Sequence, residues 1–293
     1  MSEPTFQDTQ PLDQVAAHLP APLPDLQAWT RYFRDAEIPV LASTAQALEA
    51  LRSDEDNVDA ATLAGVVDND PLMTLKLLAH AAGKRRGEEA TETESVTTSL
   101  VMMGIAPFFR NFGPQPTVER WLCDQPLALL GLQRLLLRAE RAARFAQGFA
   151  VHRGDTDVSV IRMAVFLYDF AELLMWCHAP TLQLQIAQAQ RDDPSLRSAS
   201  AQRNVLHIEL DDLRQELMKL WHLPELLVRI SDNRHAEQPI VRNVVLAVRL
   251  ARHTMRGWDN PAIPDDVDDI SQLLNSVPRV TLAFLHKIDQ PAE

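Results

Sequence analysis

The stretch VIRMAVFLYDFAELLMW, Val160 to Trp176, decides the fold. Only Arg162, Asp169 and Glu172 are charged in it. A segment so apolar on all sides reads as a helix enclosed by other elements. At about 100° per residue, the three charges fall within an arc of about 80°. A narrow polar stripe on a buried helix accounts for them without any site. The expectation is one continuous helix over 157–177, with Tyr168-Asp169 near its middle.

Working outward, the periodicity stays helical. Towards the C-terminus, VLHIELDDLRQELMKLW (205–221) sets Leu206, Leu210, Leu213, Leu217 and Leu220 at helix spacing. LPELLVRISDNRH and IVRNVVLAVRLARHTM follow, after RDDPSLRSAS (191–200), which reads as a loop. GWDNPAIPDDVDD (257–269) reads as an acidic, exposed loop, and two short helices near 267–275 and 279–288 end the chain. Towards the N-terminus, helices are expected over 118–125, 126–152 and 180–190. SLVMMGIAPFFRNF (99–112) reads as one apolar helix. Asp59 opens AATLAGVVDN, and Asp70-Pro71 opens PLMTLKLLAHAA with proline at the first helical position. Ser43-Thr44 is a candidate cap for TAQALEALRSD. LPAPLP, within the Pro-rich residues 1–24, reads as an extended tether. KRR at 84–86, followed by Glu88-Glu89, reads as a solvated mixed-charge loop. No alternating strand pair and no fixed-period repeat is visible.

Composition narrows the function. Nine glycines in 293 residues, with abundant Leu, Ala, Arg, Glu and Gln, favour helix over sheet. A net charge of −12 argues against general nucleic-acid binding, which needs basic surface. The polar, acidic first residues carry no signal-peptide pattern, and no apolar run is long enough to span a membrane. Cys123 and Cys177 have no metal-ligand spacing and read as small hydrophobes in a reducing cytoplasm. There is no P-loop, no GxGxxG and no Ser-His-Asp grouping.

Five motifs in order resemble the HDOD domain, the HD-related output domain of bacterial signalling proteins. They are IPVL at 38–41, LAGVVDNDPLMTLKLL at 63–78, VTTSLVMMG at 96–104, RMAVFLYDFAELLMW at 162–176 and LMKLWHLPELLVRI at 217–230. The resemblance spans about residues 25–245. It implies an all-α fold, an N-terminal helical bundle packed on an HD-like bundle. The implied division is a tether over 1–24, a domain over 25–256 with subdomains 25–117 and 118–256, and an acidic loop with C-terminal helices over 257–293.

The departures from the family pattern set the functional expectation. In metal-binding HD relatives, His and Asp side chains hold a divalent ion that activates water against a phosphate ester. By this resemblance, imidazoles belong at Arg138, Tyr168, Leu210 and the Asn233-Arg234 pair; only the carboxylate position, Asp169, matches. The Gly-Tyr-Pro motif of cyclic-di-GMP phosphodiesterases is absent, since HAEQPIVRN follows from His235. Ala82-Gly83 stands where the family usually has Asn-Ser. The six pocket positions Arg138, Tyr168, Asp169, Leu210, Asn233 and Arg234 therefore read as a vestigial site, with no metal and no cofactor. His152, His207, His222, His235 and His253 are scattered and read as surface or packed residues. Pro71, Trp221 and Pro224 read as structural. The expectation is a non-enzymatic regulatory module of the bacterial cytoplasm that acts through a protein partner, with no nucleic acid and no membrane. The alternatives are a divergent metal-dependent phosphohydrolase, or a signalling-nucleotide sensor using Arg138, Arg234 and Arg162 in the old pocket.

Overall fold

In chain order the helices are α1 (Leu26–Asp35), α2 (Ala42–Arg52), α3 (Ala60–Val67), α4 (Pro71–Gly83), α5 (Val96–Met103), α6 (Ile105–Asn111), α7 (Val118–Trp121), α8 (Pro126–Arg153) and α9 (Val158–Phe166). They continue as α10 (Phe170–His178), α11 (Pro180–Asp192), α12 (Ser198–Leu206), α13 (Leu210–Leu220), α14 (Glu225–Ile230), α15 (Pro239–Thr254), α16 (Ile263–Leu274) and α17 (Pro278–Asp289). The computed structural model describes residues 18–83 and 95–290. Among these the protein is all-α; the strand-like pairing is one parallel bridge, Val40 with Thr117. The expected contacts of KRR at 84–86 lie outside the described residues, as does 1–17 of the Pro-rich start. No described helix is long and apolar enough to cross a membrane.

The chain divides into two compact units, the described parts of Met1–Gln133 with Phe170–Pro224, and Arg134–Asp169 with Glu225–Glu293. This partition is drawn differently from a cut between 117 and 118, because α10 to α13 return to the first unit.

In the first unit, local chemistry starts the helices where the sequence indicates. Asp59 accepts from Thr62 N at 2.7 Å and caps α3. Asp70, fully buried, accepts from the amides of Leu72 (2.9 Å) and Met73 (3.2 Å) at the start of α4. Its other oxygen accepts from Leu41 N at 2.7 Å, and Glu119 accepts from Ala42 N at 2.9 Å. These distant carboxylates satisfy the first amides of α2, so Ser43-Thr44 is not its cap. Burial raises the Asp70 carboxyl pKa, against the pull of the amides that it accepts from. Val40, Leu63, Met73, Leu77, Leu100 and Phe108 belong to one buried cluster around which α3, α4 and α5 pack. Lys76 crosses this unit: its ammonium donates to Glu37, to Ile38 O (3.1 Å) and to Gln115 Oε1 (2.5 Å). Burial pushes its pKa down, with Glu37 opposing. Leu19 N donates to His178 O at 2.7 Å, which ties the described end of the Pro-rich start to this unit.

In the second unit α9 packs against α14 and α15, α15 against α16, and α16 against α17. Arg141 makes a bidentate pair with Asp289 and also donates to Thr254 O at 2.7 Å. Trp258 Nε1 donates to the same carboxylate at 3.0 Å.

Several boundaries differ from the sequence reading. SLVMMGIAPFFRNF is two helices because Gly104 takes φ +81°, a region glycine enters freely. The 205–221 segment breaks at His207 (φ 65°), and α12 already begins at Ser198 inside the expected loop. The helix expected over 118–125 ends at Trp121. The 257–269 loop is mostly not a loop. Pro264 occupies the first turn of α16, where its missing amide costs nothing. Asp266 is buried there, 2.7 Å from Arg249 Nε and 2.6 Å from His253 Nδ1.

Candidate functional site

The decisive stretch Val160 to Trp176 is not one helix. α9 ends at Phe166, residues 167–169 form a turn, and α10 starts at Phe170. Leu167 still donates to Met163 O (2.9 Å), but Tyr168 N donates three residues back, to Val165 O (3.1 Å). That tightened bond closes the helix in the manner of a 3₁₀ turn. Arg162, Asp169 and Glu172 therefore do not share a continuous helical stripe. Tyr168 and Asp169 sit instead on the turn, half-buried.

Two side-chain pairs form around this turn, both within the second unit. Arg138, on α8, donates through Nη2 (2.8 Å) and Nε (3.2 Å) to Asp169 Oδ2. Both side chains are less than a fifth exposed, at 18% and 14%, so the pair is only weakly screened. Asn233, on the 3₁₀ turn Asn233–His235, donates through Nδ2 to the Tyr168 hydroxyl at 2.5 Å. The turn itself is capped by Asp232, which accepts from Arg234 N at 3.1 Å.

Arg234 points elsewhere. Its guanidinium holds Asp232 at 2.9 and 3.0 Å while 72% of its side chain is exposed, and this bond lowers the Asp232 pKa. Arg162 lies over the Phe166 ring at 5.9 Å. Leu210, at the first position of α13, is buried in the first unit. So four of the six sequence-derived positions meet as two pairs, Arg138–Asp169 and Tyr168–Asn233.

These groups do not suit a divalent metal. None of the six carries an imidazole, and the carboxylate of Asp169 accepts a guanidinium. Among the described residues no group of three or more His, Cys, Asp or Glu is placed to hold an ion. Two of the scattered histidines are occupied separately: His253 faces Asp266, and His152 packs its ring 5.4 Å from Phe284. Trp221 is buried with its ring 5.9 Å from Phe170, and Pro224 is buried just before α14. Pro71 opens α4.

The HDOD-domain family model matches residues 38–237, more than half of the chain. The protein belongs to the HDOD family. Solved relatives share its fold at low identity. A response regulator, MmoQ from Methylococcus capsulatus, aligns at 18% identity and a TM-score of 0.58, covering 81% of this chain and 98% of its own. A virulence factor from Campylobacter jejuni aligns at 15% identity and 0.58, covering 85% and 89%. No curated protein matches significantly.

The sequence singled out Arg138, Asp169, Tyr168 and Asn233 but not their pairing. A hint was available: positively charged Arg138 and a lone Asp169 both stand at positions that the resemblance puts in one site. Lys76 with Glu37 and Gln115 had no local signal, since both partners lie 39 residues away. Arg249 and His253 stand one turn apart on α15, but the carboxylate that they share, Asp266, comes from the next helix.

Proposed function

We propose that this HDOD protein is a non-catalytic signalling module of the bacterial cytoplasm that works through contacts with a protein partner. The observation that carries the reading is the pair of bonds at the Tyr168-Asp169 turn. Arg138 holds the carboxylate and Asn233 holds the hydroxyl, at positions where the family resemblance calls for metal ligands. A guanidinium at 2.8 Å competes with any cation for Asp169. The HDOD family and the response regulator among its structural relatives support a signalling context. The acidic net charge of −12 supports a protein partner over nucleic acid.

Two measurements on purified protein test this. After dialysis, elemental analysis is expected to find Fe, Mn and Zn well below one equivalent. One equivalent that disappears in Asp169→Ala would restore the hydrolase reading. A pull-down from native lysate is expected to enrich a specific protein, with no DNA retained at physiological salt. Salt-sensitive DNA binding without any enriched protein would point to a nucleic-acid role instead.

A further inference from the structure

On the second unit, α8 carries large apolar side chains that stand exposed among the described residues. Leu137 is 59% exposed and Val151 63%. They lie fourteen residues apart, and Arg144 stands midway, seven residues from each. At 3.6 residues per turn this spacing keeps all three on one face, along about 21 Å of helix. Beside that face, Val151 and Arg144 line an open groove of ≈ 530 Å³ together with Phe284 and Ile288 of α17. Gly148 forms part of its floor. A Cβ there would stand 2.4 Å from Ile288 Cδ1, so the missing side chain is what admits α17.

Arg138, Arg141 and Arg153 on the same helix are engaged by Asp169, Asp289 and Asp155. Arg144, like Arg134 on the same helix, is exposed and forms no ion pair among the described residues, and of the two only Arg144 stands between Leu137 and Val151 at heptad spacing. An unpaired guanidinium between two exposed apolar residues asks for a carboxylate flanked by apolar groups. A second copy packed with its two-fold axis at Arg144 does not supply that, since Arg144 then faces its own counterpart.

We propose that the Leu137–Arg144–Val151 face of α8 docks an amphipathic helix of a partner protein. That helix carries a Glu or Asp with an apolar residue one heptad before and one after. The inference deepens the partner reading above and rests on it.

The test uses the full chain and a labelled synthetic helical peptide carrying Leu, Glu and Leu one heptad apart, read by fluorescence anisotropy at low salt. Saturable binding is expected. Arg144→Glu and Val151→Asp should each weaken it ~10-fold or more. A peptide with Lys in place of Glu should lose binding to the wild type and regain it with Arg144→Glu. Both substitutions are at exposed positions, and unchanged melting curves confirm that the variants fold. Absence of saturable binding overturns the proposal, as does binding that ignores both substitutions. Concentration-dependent dimerisation abolished by Val151→Asp overturns it in favour of a second copy, and binding to anionic vesicles but not to peptide overturns it in favour of a membrane. Failure here with a metal-free protein and a recovered partner leaves the signalling reading standing and moves the contact elsewhere. A stoichiometric metal lost in Asp169→Ala sinks that reading itself.

Discussion

Arg138 and Asp169 form a largely enclosed ion pair, and such pairs matter most when one member is removed. Taking away the guanidinium strands a carboxylate in a partly dry setting. Because both side chains keep some contact with water, the cost is expected at about 1–3 kcal/mol, below the range for fully buried pairs. Arg138→Ala and Asp169→Ala should each destabilise, and the double variant should lose less than the sum. Urea unfolding of all four proteins measures the coupling, expected at about 1 kcal/mol. Additive losses would mean that the pair is a surface accident. The residues of this site were legible one at a time in the sequence; their partnership was not. Asn233 reaches Tyr168 across sixty-five positions, and no spacing rule connects a 3₁₀ turn to the end of a distant helix.

Elements were legible wherever a local signal started or stopped them. Asp59 and Asp70-Pro71 announced α3 and α4 because their caps bond within three residues. The split between α9 and α10 gave no sign, since neither glycine nor proline marks Leu167 to Asp169. Only the three-residue reach of Tyr168 N records it. The first turn of α16 was hidden for the opposite reason: prolines read as loop, yet Pro264 is tolerated at a helix start. Glycines inside helices give a test at this scale. Alanine at Gly131 of α8 would bring its Cβ to 2.5 Å from the Trp176 ring in the first unit. Gly131→Ala should therefore cost about 1–3 kcal/mol from overpacking, outweighing a helix-propensity gain of about 1 kcal/mol. Gly65 of α3 has nothing within 4 Å of the same virtual atom. Gly65→Ala should accordingly stabilise, by up to about 1 kcal/mol. Chemical denaturation of both variants checks the opposite signs; equal signs would refute the packing argument.

For the molecule as a whole, acid should act through His178. Its ring is buried, with Nδ1 2.9 Å from the Tyr32 hydroxyl and Nε2 2.9 Å from Glu37 O. Burial pushes its pKa down to about 4, with His18 nearby acting in the same direction and the Glu37 bond opposing. The folded state thus binds the proton less readily than the unfolded chain, whose histidine titrates near about 6.5. Stability is fully present above that value and falls as pH drops towards 4, by about 3 kcal/mol if this group acts alone. His178→Gln keeps a polar side chain and removes the titration. Its stability should fall less steeply between about pH 6.5 and 4 than that of the wild type. Parallel slopes from thermal melts across that window would show that other groups govern acid unfolding.

The two pairs at the Tyr168-Asp169 turn also bear on the paths open to this chain in sequence space. Histidine at 168 alone would take the hydroxyl from Asn233 while Arg138 still gripped Asp169. A carboxylate freed by changing Arg138 alone would sit beside a tyrosine that ligates nothing. Each first step towards a metal centre dismantles a bond and gains no ligand set in return. A walk that must stay folded at every step therefore runs uphill from here, and the interlocked pairs act as a ratchet on the chain's future.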